Sequence, residues 1–350
     1  MQRVERINPN VSPAMDDIDN IYAYLSDKPD VALVKSVYDE SFKDLVDTFR
    51  EWGKENWQVE YHKKDYPALT PIENNNIILA FSGGKDSIAS ALRYKEQGYN
   101  VYLYHLRHIN PSFADEWQCA QDSANMLGLP IFFDDVRFMG YHKWTEHPMK
   151  NMLIANGALS YGIREGITTD IAFGNYTTSY LDDNVFDRCA GDCSDMWETY
   201  EAIIQRVLPD FMIQMNLDNM GDTLDAISDR KDLLNASLSC LCRHSLREYR
   251  KNWVKTKFGI DLFKRRCGSC YKCCVEYIYM TDHNKMPYSE DYYKYCMGQL
   301  YRVARVEKIQ LQEVSDLWDN YFMYDISESH ITEDLKTAKL GISKIIWKRG

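Results

Sequence analysis

Two groups of residues in this sequence have the types and spacing that chemistry needs. The first is Ser82-Gly83-Gly84-Lys85-Asp86-Ser87, which follows the apolar run Ile77-Ile78-Leu79-Ala80-Phe81 and precedes a helix-like stretch over 86–97. Such a loop between a strand and a helix suits a di- or triphosphate. Gly83 and Gly84 let the backbone approach an anion closely and take dihedrals that other residues avoid. The N–H groups of the turn and of the first helical residues then point at the anion, with the helix dipole behind them. Ser82 and Ser87 add hydroxyl donors, and Lys85 adds charge. Asp86 would repel phosphate by itself, so it makes sense as a Mg²⁺ ligand or as a helix cap. The pattern is not a Walker A loop, which ends in Gly-Lys-Ser/Thr after four spacer residues. The plainer alternative is an ordinary glycine-rich turn with a Ser/Asp cap, which a bare Gly-Gly would favour and the full hexapeptide does not.

The second group is cysteine. Cys267, Cys270 and Cys273 form two Cys-x-x-Cys steps that share Cys270, and Cys240 or Cys242 supplies a fourth thiolate. Four thiolates make a closed tetrahedral zinc site of the structural kind. Such a site would clamp the C-terminal helices to the rest of the chain and contribute folding free energy. Cys274 is a neighbour that can replace Cys273, and scattered buried or redox cysteines are the plainer reading. Weaker candidates lie elsewhere. His105 and His108 follow a second strand and would either line a nucleotide pocket or face solvent. Glu116 would hold site geometry from the next helix or be a solvated helix charge. Cys193 is a candidate nucleophile or, with Asp192 and Asp195, part of a polar substrate pocket. Cys189 and Cys193 are an incomplete metal pair.

These residues need a scaffold. Strand candidates at Val101–Leu106, Pro130–Phe133 and Asp170–Gly174 follow the run at 77–81, and helix candidates at 113–127 and 147–165 lie between them. Alternation of this kind predicts an α/β fold with a doubly wound parallel sheet. Ligands then bind at the carboxyl ends of the strands, here the loops after residues 81, 106, 135 and 174. Upstream, Ile21, Leu25, Val34, Val37, Phe42, Leu45, Val46 and Phe49 recur near helical spacing, so 18–60 reads as helical. Lys63 to Asn76, with Pro67 and Pro71, reads as a linker. The expected organisation is a helical N-terminal extension over 1–72, a nucleotide-binding α/β domain over 73–236, and a metal-binding helical region over 237–350.

Bulk properties narrow the partners. With 350 residues, 45% of them hydrophobic, the chain can bury a large core, one main domain plus additions. The net charge of −11 argues against nucleic acid as the main partner, apart from a local basic patch at Lys251, Lys255, Lys257, Lys264, Arg265 and Arg266. No run of about 18 apolar residues predicts a membrane span, and the N-terminus lacks a secretory h-region. The expected location is cytoplasmic, where the ten cysteines read as ligands, catalysts or core rather than disulfides. The 25 tyrosines read as core and surface bulk before nucleobase stacking.

The hexapeptide resembles the PP-loop of the ATP pyrophosphatase superfamily. Its members cleave ATP between the α and β phosphates, adenylate a substrate oxygen, and let a nucleophile displace AMP. Three further patches, in order, are similar to 7-cyano-7-deazaguanine synthases. His147-Pro148-Met149-Lys150-Asn151-Met152-Leu153 resembles that family's Pro-x-Arg-Asn-Leu helix start, with Lys150 in the Arg position. Phe173-Gly174 followed by Gly191-Asp192-Cys193-Ser194-Asp195-Met196-Trp197 resembles its Tyr-Pro-Asp-Cys-Arg-x-x-Phe patch. Cys267-Gly268-Ser269-Cys270-Tyr271-Lys272-Cys273 resembles its Cys-Gly-x-Cys-x-x-Cys zinc motif, and Ser239-Cys240 stands where the first ligand is expected. The resemblance spans roughly 76–280.

The resemblance implies a PP-loop (HUP-like) sheet and a carbon–nitrogen ligase of queuosine biosynthesis. ATP and Mg²⁺ would sit on Ser82 to Ser87, with His105 in the nucleotide pocket. The carboxylate of 7-carboxy-7-deazaguanine would lie near Lys150, Asn151, Asp192 and Asp195, with Lys85 and Asp86 joining them in catalysis. Ammonia would be the nitrogen source, with amide and then nitrile as products. Zn²⁺ would be held by Cys240, Cys267, Cys270 and Cys273, with an Fe–S cluster as the lesser alternative, since sulfonucleotide reductase relatives also cluster cysteines. The chain departs from the pattern at Tyr176 to Ala190, where Asp-x-Ser-Gly-Tyr-Pro is not legible, and in the long basic stretch from Arg243 to Arg266. Those departures leave open a related adenylating enzyme that modifies another acceptor, a tRNA or a protein. A homodimer is one option for its assembly.

Overall fold

The computed structural model describes residues 4–26, 36–43, 59–108, 114–138, 150–176, 194–218, 220–240 and 244–306. Its elements run β1 (Val4–Arg6), α1 (Pro13–Ser26), β2 (Ser36–Tyr38), β3 (Val59–Tyr61), β4 (Asn76–Ala80), α2 (Lys85–Glu96), β5 (Asn100–His108), α3 (Ala114–Leu127) and β6 (Ile131–Phe138). They continue as α4 (Lys150–Arg164), β7 (Ile171–Tyr176), α5 (Ser194–Ile204), β8 (Gln214–Asp218), α6 (Met220–Ile227), α7 (Lys231–Ala236), α8 (His244–Phe258), α9 (Tyr271–Asp282) and α10 (Glu290–Val306).

The apolar run before the hexapeptide is apolar throughout because both of its faces are covered. Side chains alternate along a strand. Ile77, Leu79 and Phe81 therefore enter one core layer, with Ile88, Ala120, Leu234 and Tyr279, while Ile78 and Ala80 enter the other, with Met15, Leu153, Leu159 and Tyr200. This is the pattern of a central parallel strand. The main sheet has the order β1-β6-β5-β4-β7-β8. Five strands, β4 to β8, are parallel, with Ile77 opposite Val101, Leu103 opposite Ile131 and Phe173 opposite Met215. The chain builds outward from β4 through β5 to β6, then returns to the other side of β4 with β7 and β8. The order therefore reverses between β4 and β7, a topological switch point of the kind where α/β sheets bind ligands.

The expected alternation holds, with corrections at its edges. β5 and β6 run on to His108 and Phe138, so the carboxyl-edge loops start after 108 and 138 rather than 106 and 135, and β7 ends at Tyr176 rather than 174. Residues 18–60 are not helical throughout. Helix α1 starts earlier, at Pro13, while β2 and β3 form a separate parallel pair, Val37 opposite Glu60. A Val beside a Tyr in a three-residue strand satisfies both a period of 2 and a period of 3.6, so the pattern was too short to distinguish them. The N-terminal segment also joins the main sheet: β1 pairs antiparallel with β6, Glu5 opposite Arg137. Arg6 of β1 is buried, ion-paired with Asp19 of α1, and donates to the Leu153 carbonyl of α4 at 2.7 Å. Among the described residues no helix is long and apolar enough to cross a membrane.

Candidate functional site: a glycine-rich turn beside a four-cysteine cluster

The hexapeptide lies at the carboxyl end of β4, beside the switch point, and is held from several sides. Phe81 N–H donates to the Tyr104 carbonyl at 2.8 Å, and the Phe81 carbonyl is 2.8 Å from His105 Nδ1. Gly83 takes φ +71°, and a Cβ there would lie 2.5 Å from the Ala120 backbone nitrogen and 2.6 Å from the Cys119 carbonyl carbon. The turn is thus pressed against the backbone of α3, and only glycine fits. On its other side, the Gly83 carbonyl accepts from Leu238 N–H at 3.0 Å. Gly84 is the N-cap of α2, with no side-chain cap. Gly84 N–H donates to Ser82 Oγ at 3.2 Å, and Ser87 Oγ donates to the Gly84 carbonyl at 3.1 Å. The two hydroxyls lie 3.4 Å apart, with Ser82 exposed and Ser87 buried. Helix α2 packs close to β7, because a Cβ at Gly174 would lie 2.3 Å from Ser90 Oγ.

Lys85 is 1% exposed, with Nζ 2.5 Å from Asp86 Oδ1. Burial lowers its pKa; Asp86 opposes the fall, Lys272 adds to it, and Glu276 opposes it. Lys272 and Glu276 belong to α9, the helix that carries Cys273, so the loop and the cysteine region share one electrostatic neighbourhood.

His105 does not face solvent. It lies within β5, is 6% exposed, and burial lowers its pKa below the ordinary 6.5 despite Glu116 nearby. Its ring is 5.3 Å from Trp117 of α3, which is 4.7 Å from Phe133 of β6, and the Arg107 guanidinium is 4.4 Å from the Phe133 ring. Arg107 is fixed by the Asp135 carboxylate, with Nη2 to Oδ2 at 2.7 Å. Phe133 is 41% exposed and forms the open end of this aromatic group. The sequence reading named His105 and missed Trp117, Phe133 and Arg107. The cross-strand registers of His105 with Phe133 and Arg107 with Asp135 bring them together, and local sequence carries no trace of those pairings.

The cysteines Cys240, Cys267, Cys270 and Cys273 converge, with all four Sγ atoms within 4.8 Å of one another. Individual separations are 3.4 Å for Cys270 to Cys273, 3.9 Å for Cys267 to Cys273 and 4.0 Å for Cys240 to Cys270. A tetrahedral metal with bonds of about 2.3 Å to sulfur has sulfur–sulfur edges of about 3.8 Å, so the cluster can hold a metal such as zinc. The backbone N–H groups of Ser269 and Cys270 both donate to Cys267 Sγ at 3.3 Å. The neighbouring sulfurs of Cys240, Cys270 and Cys273, helped by the Ser269 N–H, hold the Cys267 thiol well below its ordinary value. Cys270 is the N-cap of α9, and the sulfurs of Cys240 and Cys267 push its own thiol up, so among these sulfurs the proton is held away from Cys267. Cys274 is not part of the cluster: it is fully buried in the core, where Cys296 and burial push its thiol up. Cys242 lies outside the described residues.

The remaining expected site residues start helices on the same edge of the sheet. Lys150 and Asn151 open α4 and Asp195 is the second residue of α5; both helices belong to the opposite core layer from α2. Asn151 is half-buried. The side chains of Lys150 and Asp195, and all of Asp192, Cys189 and Cys193, lie outside the described residues. The expected basic patch is corrected at two positions. Arg265 and Arg266 are 8% and 2% exposed, each ion-paired inside the fold, with Asp122 and Glu276 respectively. Lys255 is exposed and paired with Asp261 at 2.7 Å.

No protein-family model matches the chain, and no curated protein matches it in sequence. Among solved structures, it is similar to one described as a predicted subunit of tRNA methyltransferase from Methanocaldococcus jannaschii, at 20% identity and a TM-score of 0.24. The match covers 41% of this chain and 66% of that one. A superposition this shallow carries no argument about fold or activity.

Proposed function

We propose that this protein is an ATP-dependent ligase that activates a carboxylate as its adenylate and aminates it. The acceptor we favour is 7-carboxy-7-deazaguanine or a related deazaguanine, on the strength of the sequence resemblance. The observation that carries the reading is the turn from Ser82 to Ser87. It lies at the switch point, is fixed in shape by Gly83 against α3, and carries two hydroxyls 3.4 Å apart, that of Ser82 on an exposed residue.

In this reading the first N–H groups of α2 and the hydroxyls of Ser82 and Ser87 hold the polyphosphate, a helix N-terminus favouring an anion. Lys85 adds charge from behind. Asp86, with a third of its side chain exposed, is the carboxylate that would hold Mg²⁺, whose charge offsets that of the phosphates when bound. The surface of Trp117 and Phe133 offers the flat apolar face on which an adenine ring stacks. Lys150, Asn151, Asp192 and Asp195 are assigned to the acceptor. A carboxylate oxygen attacks the α-phosphorus and pyrophosphate leaves. Ammonia attacks the acyl carbon, AMP leaves with the former carboxylate oxygen, and a proton is released. The amide oxygen then attacks the α-phosphorus of a second ATP, pyrophosphate leaves again, and loss of AMP and a proton gives the nitrile. The protein contributes position and charge stabilisation of an in-line displacement.

The test is one mass-spectrometric assay. Zinc-loaded protein is mixed with ATP, Mg²⁺, ammonium and 7-carboxy-7-deazaguanine, and product mass and AMP are followed together, with Asp86→Ala as control. Nitrile and AMP, both lost in the variant, are expected. Amide without nitrile would mean a relative that stops halfway. Neither product nor AMP would exclude this acceptor and send the search to tRNA or protein acceptors.

A further inference from the structure

We propose that Arg265 and Arg266 are positioning residues that tie occupancy of the cysteine cluster to the shape of the phosphate loop. The functional meaning of this coupling rests on the nucleotide-binding reading above. The physical coupling does not.

The segment from Ser237 to Cys240 is neither helix nor strand, yet it touches both sites. Leu238 N–H supports the Gly83 carbonyl, and the Leu238 carbonyl lies 3.3 Å from where a Gly84 Cβ would be. Two residues later, Cys240 joins the cluster. Ser237 closes the last turn of α7, its N–H on the Leu233 carbonyl at 2.8 Å and its hydroxyl on the Leu234 carbonyl at 3.0 Å, and its own carbonyl is left for side chains to satisfy. Arg266 Nη1 donates to the Ser237 carbonyl at 2.6 Å, and Nη2 donates to Ser237 Oγ at 2.9 Å. Arg266 Nε reaches the Glu276 carboxylate on α9 at 2.8 and 2.9 Å. Arg265 Nη1 donates to the Ala236 carbonyl, and its Nη2 reaches Asp122 Oδ2 on α3 at 2.5 Å. Helix α3 is the element whose backbone lies against Gly83.

Two successive residues, directly before Cys267, thus join the two backbones that touch the loop, the 236–238 segment and α3, to α9 of the cysteine cluster. The role asks for arginine, since a planar fork with five donors can satisfy a carbonyl, a hydroxyl and a carboxylate at once and a lysine cannot. Burying two guanidinium groups is tolerable only because each is paired and hydrogen-bonded. A metal that draws Cys240 toward Cys267 fixes the segment between the arginines and the loop. Metal loss leaves four crowded sulfurs to move apart, and the Leu238–Gly83 bond goes with them.

The test is hydrogen–deuterium exchange on the full chain, zinc-loaded, chelator-treated and reloaded, with ATP·Mg²⁺ affinity measured in parallel. The reporters are the amides of Leu238, bonded to Gly83, and Ile88, bonded to the Gly84 carbonyl at 3.1 Å. On zinc removal both are expected to exchange at least about tenfold faster, while Leu103 in β5 keeps its protection. Zinc-loaded Arg266→Lys is expected to speed the same two amides. If that variant does not fold, Ser237→Ala, which removes one acceptor of Arg266, gives a smaller change in the same direction. Unchanged protection of Leu238 and Ile88 after zinc removal would overturn the proposal. Coupled exchange in a zinc-loaded protein that binds no ATP would uphold the coupling and overturn the nucleotide reading instead.

Discussion

Gly83→Ala is the sharpest probe of the loop. Two separable penalties follow from its surroundings. An L-residue at φ +71° is in the left-handed region, at a cost of about 1–2 kcal/mol. The added methyl would also sit 2.5–2.7 Å from three backbone atoms of Cys119 and Ala120. Backbone cannot rotate away as a side-chain end can, so overpacking adds about 1–3 kcal/mol. The expected loss is therefore about 2–5 kcal/mol, a large part of an ordinary domain's stability of about 5–15 kcal/mol. Gly128→Ala is the matched control: its φ is +65°, but nothing lies within 4 Å of its Cβ position. It bears the dihedral penalty alone. The assay is urea unfolding of both variants at equal zinc loading, followed by circular dichroism. The clash argument is refuted if Gly83→Ala costs no more than Gly128→Ala.

Three further outcomes are expected. Cys240→Ser should lower zinc content measured by atomic absorption and lower the thermal midpoint, whereas Cys274→Ser should leave zinc content unchanged because its thiol faces Cys296 and not the cluster. Stability should fall as pH drops below about 6.5. The unfolded chain takes up a proton at His105 near that value, but the buried, Phe81-bonded ring does so only at lower pH. Denaturant titrations of wild type and His105→Gln across pH 5 to 8 should therefore converge toward the acid end, and parallel curves would refute the burial argument. Trp117→Ala should weaken ATP binding about fivefold, corresponding to about 1 kcal/mol of stacking, with little change in the affinity for pyrophosphate. Isothermal titration with both ligands separates the two, and equal losses would remove the base-stacking role.

The sequence by itself determined what is contiguous or periodic. Ser82 to Ser87 could be read because the strand before it, the turn and the helix after it are adjacent in the chain. Three of the four clustered cysteines could be read because Cys-x-x-Cys spacing is local. The alternation from 77 to 174 predicted the parallel sheet because buried parallel strands carry unbroken apolar runs. β8, Gln214–Asp218, went unread because Gln-Met-Asn-Leu-Asp is an edge strand without such a run. β1 went unread because three residues carry no period.

Only the tertiary structure decided the rest. It chose Cys240, 27 residues before Cys267 in sequence, and set Cys273 rather than Cys274 in the cluster, since neighbours on a helix point about 100° apart. It turned Arg265 and Arg266 from a surface charge run into internal ties, because burial is a property of the packed chain and a run of letters does not contain it. It also placed Leu238 under Gly83, 155 positions away, and Trp117 beside His105 and Phe133. Contacts of that separation depend on sheet order and register, and these are set by how two core layers close around β4.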